Sequence, residues 1–401
     1  SLPEMNVVSG ECITRNLLRG ISSAAPFGKV MKVGFTNTGW GQISQIPQIF
    51  REFGIDTMTS YRGVPVHRIS KECLWEGADG SRLMLLRPSK GPRCIFFEYI
   101  WRNALVEGWR TEQERKNPPA MAPGARMAAE RSPVLEPYFA EQDPARVNAG
   151  AVGPGIERIR NVMKPDATTS HLWLGNWRDR RHPHPLLTDL VQEAEKHLEK
   201  GEKIYVSSLP EYINAVKREL GNLRVEVKGE LRSPQKGDHG AELLSVLSAR
   251  SRLKIANRKA EHAVIYGAEL WQSLAWLTGF KLEKDLLDRA WKLLMLNHCH
   301  DTIGGVGVDR VHEDQMNRFA GIMDIAGDLR RKALIHLARC VKFTPSEPGE
   351  SLCVVFNSLP ERRSETVECF LDVPGEHSPR DITLADPDGA EIKPQILGKM
   401  R

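Results

Sequence analysis

Residues 30–53 read VMKVGFTNTGWGQISQIPQIFREF, and this stretch indicates the fold class of the first part of the chain. Residues 30–36 have the apolar character of a short buried strand. A loop follows within residues 34–42, which contain three glycines, and residues 43–53 then place their large apolar side chains on one helical face. A strand, a loop and a helix in this order predict an α/β arrangement.

The same alternation continues to about residue 215. A strand is predicted at Arg82–Arg87 and another at His171–Leu174. Residues 186–198 return to helical spacing, and Ser208 has the position of a helix cap ahead of an early proline. Residues 111–155 interrupt the pattern because they are rich in Pro, Ala, Gly and charge, which predicts a variable excursion.

The second half of the chain changes character twice. Residues 242–336 carry apolar residues at helical spacing almost throughout, which predicts a helical bundle. After residue 345 the pattern favours strands at 352–357 and 366–371, with a tight turn at 386–389. We therefore predict three domains, which are an α/β domain at 1–215, a helical bundle at 225–338 and the start of a β-rich domain at 345–401.

Composition excludes several classes of protein. Lys and Arg number 56 against 51 Asp and Glu, so the excess of 5 positive charges gives no basic patch typical of nucleic-acid binding. No apolar run is long enough to cross a membrane. The 7 scattered cysteines form no CxxC pair, which argues against a disulfide framework and favours a reducing, cytoplasmic location. The first residues have no initiator Met and no signal-peptide pattern, so we expect a piece of a longer protein.

The sharpest chemical cluster is Asn297-His298-Cys299-His300-Asp301-Thr302, directly after a predicted helix. Imidazole suits zinc, and a neighbouring carboxylate can orient the ring, so a metal or acid/base site is one interpretation. The alternative is an ordinary helix end, where His favours the helix dipole and the following glycines end the turn.

Two further segments are candidates for a site. Asp179 follows the predicted strand at 171–174, and chemistry in α/β folds usually lies at the carboxyl end of a strand. Trp173 and Trp177 lie close enough in sequence to stack on a sugar ring. The plainer interpretation is a solvated Asp paired with a neighbouring Arg. The glycine-containing loop at 34–42 suits an anion nest, but it lacks the spacing of nucleotide-binding loops.

Taken together, these segments resemble the glycoside hydrolases of family 38, the α-mannosidase family, in order and spacing. The segments that carry the resemblance are residues 29–35, 41–49, 54–56, 61–64, 172–179, 247–254, 296–301 and 354–359. They resemble the family's active-site strand, loop and helix, its acid/base strand, its central helical domain, its metal-binding His-Asp segment and the entry to its β-sandwich. The resemblance covers nearly the whole chain except residues 111–155.

The resemblance implies a partial (β/α) barrel-like catalytic domain, a central helical bundle and the start of a β-sandwich. It also implies a retaining, zinc-assisted hydrolase that cleaves terminal α-linked mannose from a glycan. Asp179 matches the general acid/base and His300 a zinc ligand. Asp301, its neighbour, is expected either to orient His300 or to contact the sugar, and Arg62 matches an arginine near the nucleophile. Trp177, from its position, is expected to contact the substrate. A homo-oligomer is compatible with this interpretation.

Two departures from the family lead to an alternative. Thr38 occupies the position of the nucleophilic Asp, and Thr lacks the anionic oxygen that binds zinc and attacks carbon. The family's N-terminal His-x-His-or-Asn-x-Asp segment is absent from this sequence. Three of the four expected metal ligands are therefore missing, and the alternative is a catalytically inactive relative that binds a glycan or a partner. A scaffold without any sugar role is the third interpretation.

Overall fold

The structure is a computed structural model, and it describes ten stretches of the chain. These are residues 2–36, 41–91, 93–107, 147–177, 185–233, 246–345, 350–369, 371, 382–386 and 388–398. The chain divides into two compact units, residues 1–342 and 343–401. The first unit holds the main sheet and the long helices.

In the described residues, the helices longer than one 3₁₀ turn are numbered in chain order. They are α1 (Gly10–Ala24), α2 (Ile46–Glu52), α3 (Phe97–Glu107), α4 (Val152–Met163), α5 (Leu187–Glu195), α6 (Leu209–Glu219), α7 (Ser251–His262), α8 (Ala263–Glu269), α9 (Leu270–Leu277), α10 (Lys284–Asn297), α11 (His300–Gly304) and α12 (Asp309–Arg339). α3 and α8 are π-helical. The strands are β1 (Gly34–Phe35), β2 (Thr57–Thr59), β3 (Glu72–Glu76), β4 (Arg82–Leu86), β5 (Val225–Lys228), β6 (Leu384–Ala385) and β7 (Glu391–Ile392).

The main sheet has five strands in the order β1-β2-β4-β3-β5. β1, β2 and β4 run parallel, β3 pairs antiparallel with β4, and β5 is parallel to β3. The β3–β4 hairpin forms because Asp79 caps the turn, where its carboxylate accepts the Ser81 N–H at 3.0 Å. Gly80 supplies the positive φ of +85° that this turn requires. The predicted strand at Arg82–Arg87 is confirmed as β4.

β4 explains how the sheet is covered on both faces. Leu83 and Leu85 point into a large core that also contains residues of α1, α2, α7, α10 and α12. Met84 and Leu86 point to the opposite face and pack against α6. A strand buried on both sides has no polar alternation, which is why its sequence is a continuous apolar run. α6 begins as predicted, since Ser208 accepts the Glu211 N–H at 3.3 Å.

The predicted helical region is also confirmed. α7 to α12 occupy most of residues 251–339, and α12 alone spans 31 residues. Ala290, Leu294 and Phe319 are fully buried or nearly so in the core that the bundle shares with the sheet. Burying a Leu or Phe side chain contributes about 1.5–3 kcal/mol to the free energy of unfolding. The three-to-four spacing of apolar residues in the sequence therefore marks the side chains whose burial stabilises this region.

Three predicted strands are wrong. Residues 171–177 form no strand in the structure. A backbone hydrogen bond joins this segment to residue 96, where the Phe96 N–H donates to the Gly175 carbonyl at 3.1 Å. Residues 352–357 and the described part of 366–371 form no strand and are largely exposed. The apolar character of the three segments favoured strands, but no strand among the described residues pairs with them. The turn at 386–389 is confirmed between β6 and β7, where the Gly389 N–H donates to the Asp386 carbonyl at 3.0 Å.

The observed architecture confirms a mixed α/β arrangement with a largely parallel sheet and a helical region. Most of the predicted excursion, residues 111–146, lies outside the described residues. A search of the described helices for one with the length and apolarity of a membrane span found none.

Candidate functional site

Buried polar side chains gather where β1 and β2 end side by side. Thr36, just after β1, donates its backbone N–H to the Thr59 carbonyl at 3.3 Å. Gln42 reaches back to the same edge, and its amide donates to the Thr36 carbonyl at 3.1 Å. Side-chain oxygens of Gln42, Thr59 and Ser60 are buried without a hydrogen-bond partner in the described part of the chain. A ligand hydroxyl or a water would satisfy them, so this carboxyl edge is the candidate binding surface.

Two arginines meet one tyrosine directly after this edge. Tyr61 is 4% exposed, and the Arg62 guanidinium carbon lies 5.4 Å from its ring centroid. The Arg93 guanidinium lies 4.6 Å from the same centroid and donates to the Tyr61 hydroxyl. Gly63 permits the sharp turn that follows, with φ +74° and room for no Cβ beside the Leu231 carbonyl. The arrangement fixes positive charge at the carboxyl end of β2.

Trp177 belongs to the same neighbourhood. Its ring packs over Gly175, where an added Cβ would lie 2.3 Å from the ring and 2.8 Å from the Arg93 carbonyl oxygen. Trp173 and Trp177 face each other with ring centroids 5.1 Å apart, and Trp177 is half-buried. Trp177 thus lies near the Arg93 backbone, and the Arg93 guanidinium shares the Tyr61 ring with Arg62.

His300 lies at the start of α11, against the N-terminal segment. Its backbone N–H donates to the Leu2 carbonyl at 3.0 Å, and its Nδ1 lies 3.2 Å from the same oxygen. Its Nε2 lies 3.4 Å from an Asp301 carboxylate oxygen. Burial alone would lower the pKa of His300, but the contact with Cys299 and attraction to Asp301 outweigh burial and raise it. Asp301 itself is exposed.

His298, only two residues earlier, points the other way into the core. It is 2% exposed, and burial lowers its pKa to about 3. Its Nε2 lies 2.8 Å from the Asn257 side-chain oxygen and 3.5 Å from Glu261. Cys12 completes the group, and burial together with the Glu261 charge raises the pKa of its thiol to about 12. α1, α7 and the end of α10 thus contribute one buried polar cluster.

The N-terminal segment links the His300 region to the carboxyl edge. Pro3 forms an antiparallel bridge with Cys299, next to the Leu2–His300 contact. Asn6 lies on the other side, where its amide nitrogen would be 3.4 Å from a Cβ on Gly41, the residue after 37–40. The four residue steps from Leu2 to Asn6 span at most about 14 Å. This segment therefore keeps the His300 region close to the loop end at Gly41.

Comparison with known proteins agrees with this fold. A family model described as the alpha mannosidase middle domain matches residues 244–337, the helical region. A Halalkalibacterium halodurans protein named as a mannosylglycerate hydrolase is 25% identical over 332 residues, covering 79% of this chain and 31% of that protein. Mouse alpha-mannosidase 2C1 is 23% identical over 403 residues, covering 94% of this chain and 30% of the mouse protein.

Solved structures extend the likeness to three dimensions. An alpha-mannosidase from Enterococcus faecalis superposes with a TM-score of 0.64 at 24% identity, covering 84% of this chain and 33% of that chain. A glycosyl hydrolase family 38 protein from the same species gives a TM-score of 0.56 at 22% identity, covering 84% and 30%. The chain is therefore similar in sequence to a mannosylglycerate hydrolase and to alpha-mannosidases, and it shares the fold of family 38 glycosyl hydrolase structures. It spans about a third of the length of the relatives it matches.

The predicted site is only partly described. Thr38 and Asp179 lie outside the described residues. His300 has a geometry that suits a ligand, because a metal-binding His usually donates its other N–H to a carbonyl, as Nδ1 can to Leu2. However, His300 and Asp301 do not by themselves give the three protein ligands of a zinc site. Among described residues, three potential ligand atoms come within 4.8 Å of one another only at Cys12, Glu261 and His298.

Several residues of these sites were not found from the sequence. Tyr61 and Arg93 were missed as a pair because 32 residues separate them and no local motif joins them. Cys12 and Glu261 were missed for the same reason, since nothing in the sequence places α1 against α7. The cap residue Ser9 ahead of α1 was a usable local signal, as its hydroxyl accepts the Cys12 N–H at 3.4 Å.

Proposed function

We propose that this chain is part of a zinc-assisted, retaining glycoside hydrolase that removes terminal α-linked mannose. The observation that carries the proposal is the match of residues 244–337 to the alpha mannosidase middle domain, within a fold match that covers 84% of the chain. The carboxyl edge of β1 and β2 adds buried oxygens suited to sugar hydroxyls.

In this proposal Asp179 is the general acid/base that protonates the leaving oxygen and then activates water. A retaining enzyme places its two carboxyl groups about 5–5.5 Å apart, and position 38 is where the second is expected. Trp177 supports the sugar ring, while Arg62 and Arg93 supply positive charge beside Tyr61. His300 holds one coordination position, with Asp301 beside it. Bound zinc would supply a template and Lewis acid for the sugar hydroxyls.

A catalytically inactive, glycan-binding or partner-binding relative is the second candidate, and Thr38 favours it. A threonine hydroxyl is neutral at pH 7, so it neither neutralises a cation nor attacks carbon without a base. Loss of a nucleophile typically lowers kcat by several orders of magnitude. This candidate keeps the fold and the sugar contacts and loses turnover.

Full-length protein assayed with an aryl α-mannoside and with mannosylglycerate separates the two candidates. Turnover that a chelator abolishes and that Asp179→Asn reduces by orders of magnitude supports the hydrolase. Mannose binding without turnover supports the inactive relative. Thr38→Asp is the matched rescue variant, expected to gain both zinc and activity. If that variant gains neither, position 38 does not correspond to the nucleophile.

The finer architecture and setting belong to the same proposal. We retain the barrel-like closure, the β-sandwich and the three domain boundaries at 1–215, 225–338 and 345–401 as predictions. All seven cysteines are free, which supports the proposed cytoplasmic location. An α-mannoside glycan is the proposed partner, and sedimentation of the full-length protein tests whether a second copy of the chain also binds.

A further inference from the structure

We propose that Cys12, Glu261 and His298 form a buried site for a divalent cation of the zinc class, distinct from His300. The three side chains are between 0% and 2% exposed and come from three different helical elements. Their sulfur, oxygen and nitrogen atoms all lie within 4.8 Å of one another. Thiolate, imidazole and carboxylate are the three ligand types that zinc binds in proteins.

The spacing is close to that of a tetrahedral centre. Zinc bonds of about 2.0–2.3 Å place neighbouring ligand atoms roughly 3.3–3.8 Å apart. His298 Nε2 and Glu261 Oε1 already lie 3.5 Å apart. Cys12 lies in the first turn of α1, and Glu261 is near the end of α7. Ligands on packed helices need only small side-chain movements to close around an ion.

Charge supplies the second argument. Glu261 is buried, and the groups that hold it are mostly neutral, namely the Ser9 N–H at 3.1 Å and the Asn257 amide at 3.0 Å. The guanidinium nearest to it, that of Arg258, is 63% exposed and lies 3.4 Å away. A doubly charged cation bound by the Cys12 thiolate and the Glu261 carboxylate makes the buried centre neutral, which a low-dielectric interior favours.

Asn257 is placed to complete the coordination. Its amide nitrogen donates to Glu261, so its oxygen faces His298 Nε2 at 2.8 Å. On metal binding the Cys12 thiol releases one proton to solvent, the His298 ring proton moves from Nε2 to Nδ1, and the Asn257 oxygen loses its donor. That oxygen is then available as the fourth ligand. The site has no open position, which is typical of structural rather than catalytic zinc.

The alternative to a metal centre is a hydrogen-bond network formed by the same side chains. In that arrangement Cys12, Ser9 and Asn257 donate to Glu261, and His298 donates to Asn257. The hydrogen-bond network predicts no affinity for a metal ion, so a measurement of metal binding distinguishes the two arrangements. Neither depends on whether the chain hydrolyses mannosides.

Cobalt(II) titration of the full-length protein tests the site, because a cobalt–thiolate bond gives a near-ultraviolet charge-transfer band. We expect wild type to show this band at one cobalt per chain and to lose it on zinc addition. Cys12→Ser removes the thiolate with little change in size, and we expect it to abolish the band. Its affinity should fall by more than the roughly 10–100-fold that loss of an outer-shell partner costs.

Matched controls identify the thiolate. Cys73→Ser and Cys94→Ser change equally buried cysteines elsewhere in the same unit, and both should keep the band. Cys299→Ser and His300→Ala should keep it as well, which separates this centre from the family zinc position. If Cys12→Ser does not fold, single Ser variants of the remaining three cysteines, Cys340, Cys353 and Cys369, complete the set, and retention of the band in every one points to Cys12. Absence of the band in wild type, or its persistence in folded Cys12→Ser, overturns the proposal.

Discussion

Asp166 and Glu261 are both carboxylates inside the first unit, yet their partners differ. Asp166 accepts two hydrogen bonds from Arg87, which is itself fully buried, and lies 3.3 Å from Lys90. Glu261 accepts mainly from neutral N–H groups, and its nearest guanidinium is largely in solvent. The Asp166 carboxylate, at the end of a 3₁₀ turn, is therefore neutralised by the chain itself, whereas Glu261 in α7 has no buried cation beside it among the described residues.

The charges around Asp166 form a closed network, in which buried groups of opposite sign neutralise one another. The Glu261 cluster is open in the sense that its carboxylate has no such buried partner in the part of the chain that the structure describes. Beside Asp166, Lys71 donates to the Tyr212 hydroxyl at 3.0 Å, and Thr168 donates to Glu72. Fixed charges of both signs alternate at this sheet edge, so an added ion would meet repulsion as well as attraction. The Glu261 cluster contains no buried cation among the described residues. Position in the fold thus decides which carboxylate is structural and which is available for binding.

Asp166→Ala should have the largest effect. It leaves the Arg87 guanidinium buried without its carboxylate, and breaking such a pair typically costs about 3–5 kcal/mol. Chemical denaturation of the full-length protein, followed by circular dichroism, measures the change in the free energy of unfolding. The double variant Arg87→Met with Asp166→Leu is the control, and it should recover most of the loss because no charge remains unpaired. A loss below about 1 kcal/mol in the single variant would contradict the closed network.

Glu261→Gln should cost less in the absence of metal. The amide keeps one acceptor oxygen for Ser9 and Asn257, and hydrogen bonds to a charged group contribute about 1.5–3 kcal/mol each. We expect a loss of about 2 kcal/mol without added metal, and a larger gap from wild type when zinc is present. Glu11→Gln, on the exposed side of α1, is the control and should change stability by less than about 1 kcal/mol. A cost equal to that of Asp166→Ala would mean that neutral donors hold a carboxylate as firmly as Arg87 does.

Features that depend on residues close together in sequence were predicted correctly at β4 and at the start of α6. β4 was predicted because an apolar run with a Gly-containing turn before it is a nearest-neighbour pattern, and α6 because its cap lies three residues from the N–H it accepts. Residues 171–174 have the same apolar character, but a strand also needs a partner, and partners are chosen by distant parts of the chain. Strand pairing therefore exceeded what the sequence could show.

The sites divide in the same way. The sequence singled out the segment 297–302, and the structure confirms that it changes direction between α10 and α11. It could not show that His298 turns inward to Glu261 while His300 turns outward to Leu2, because those contacts span 37 and 298 residues. Asp166 and Arg87, which are 79 residues apart, were not predicted for the same reason.

The smallest effect concerns the pH dependence of the closed network. Burial alone would raise the pKa of Asp166, but hydrogen bonds and attraction from Arg87 and Lys90 outweigh it and lower the pKa below the ordinary value. A carboxyl group with a lowered pKa in the folded state stabilises the protein above the unfolded value of about 3.9 and loses that contribution as pH falls through the folded pKa. The stability difference between wild type and Asp166→Asn should therefore be constant from neutral pH to mild acid and shrink below about pH 4. The comparison is made with Glu72→Gln in both proteins, because burial raises the pKa of Glu72 and the Asp166 charge adds to that rise. A difference that stays constant through this acid range would show that the Asp166 carboxylate gains nothing from Arg87.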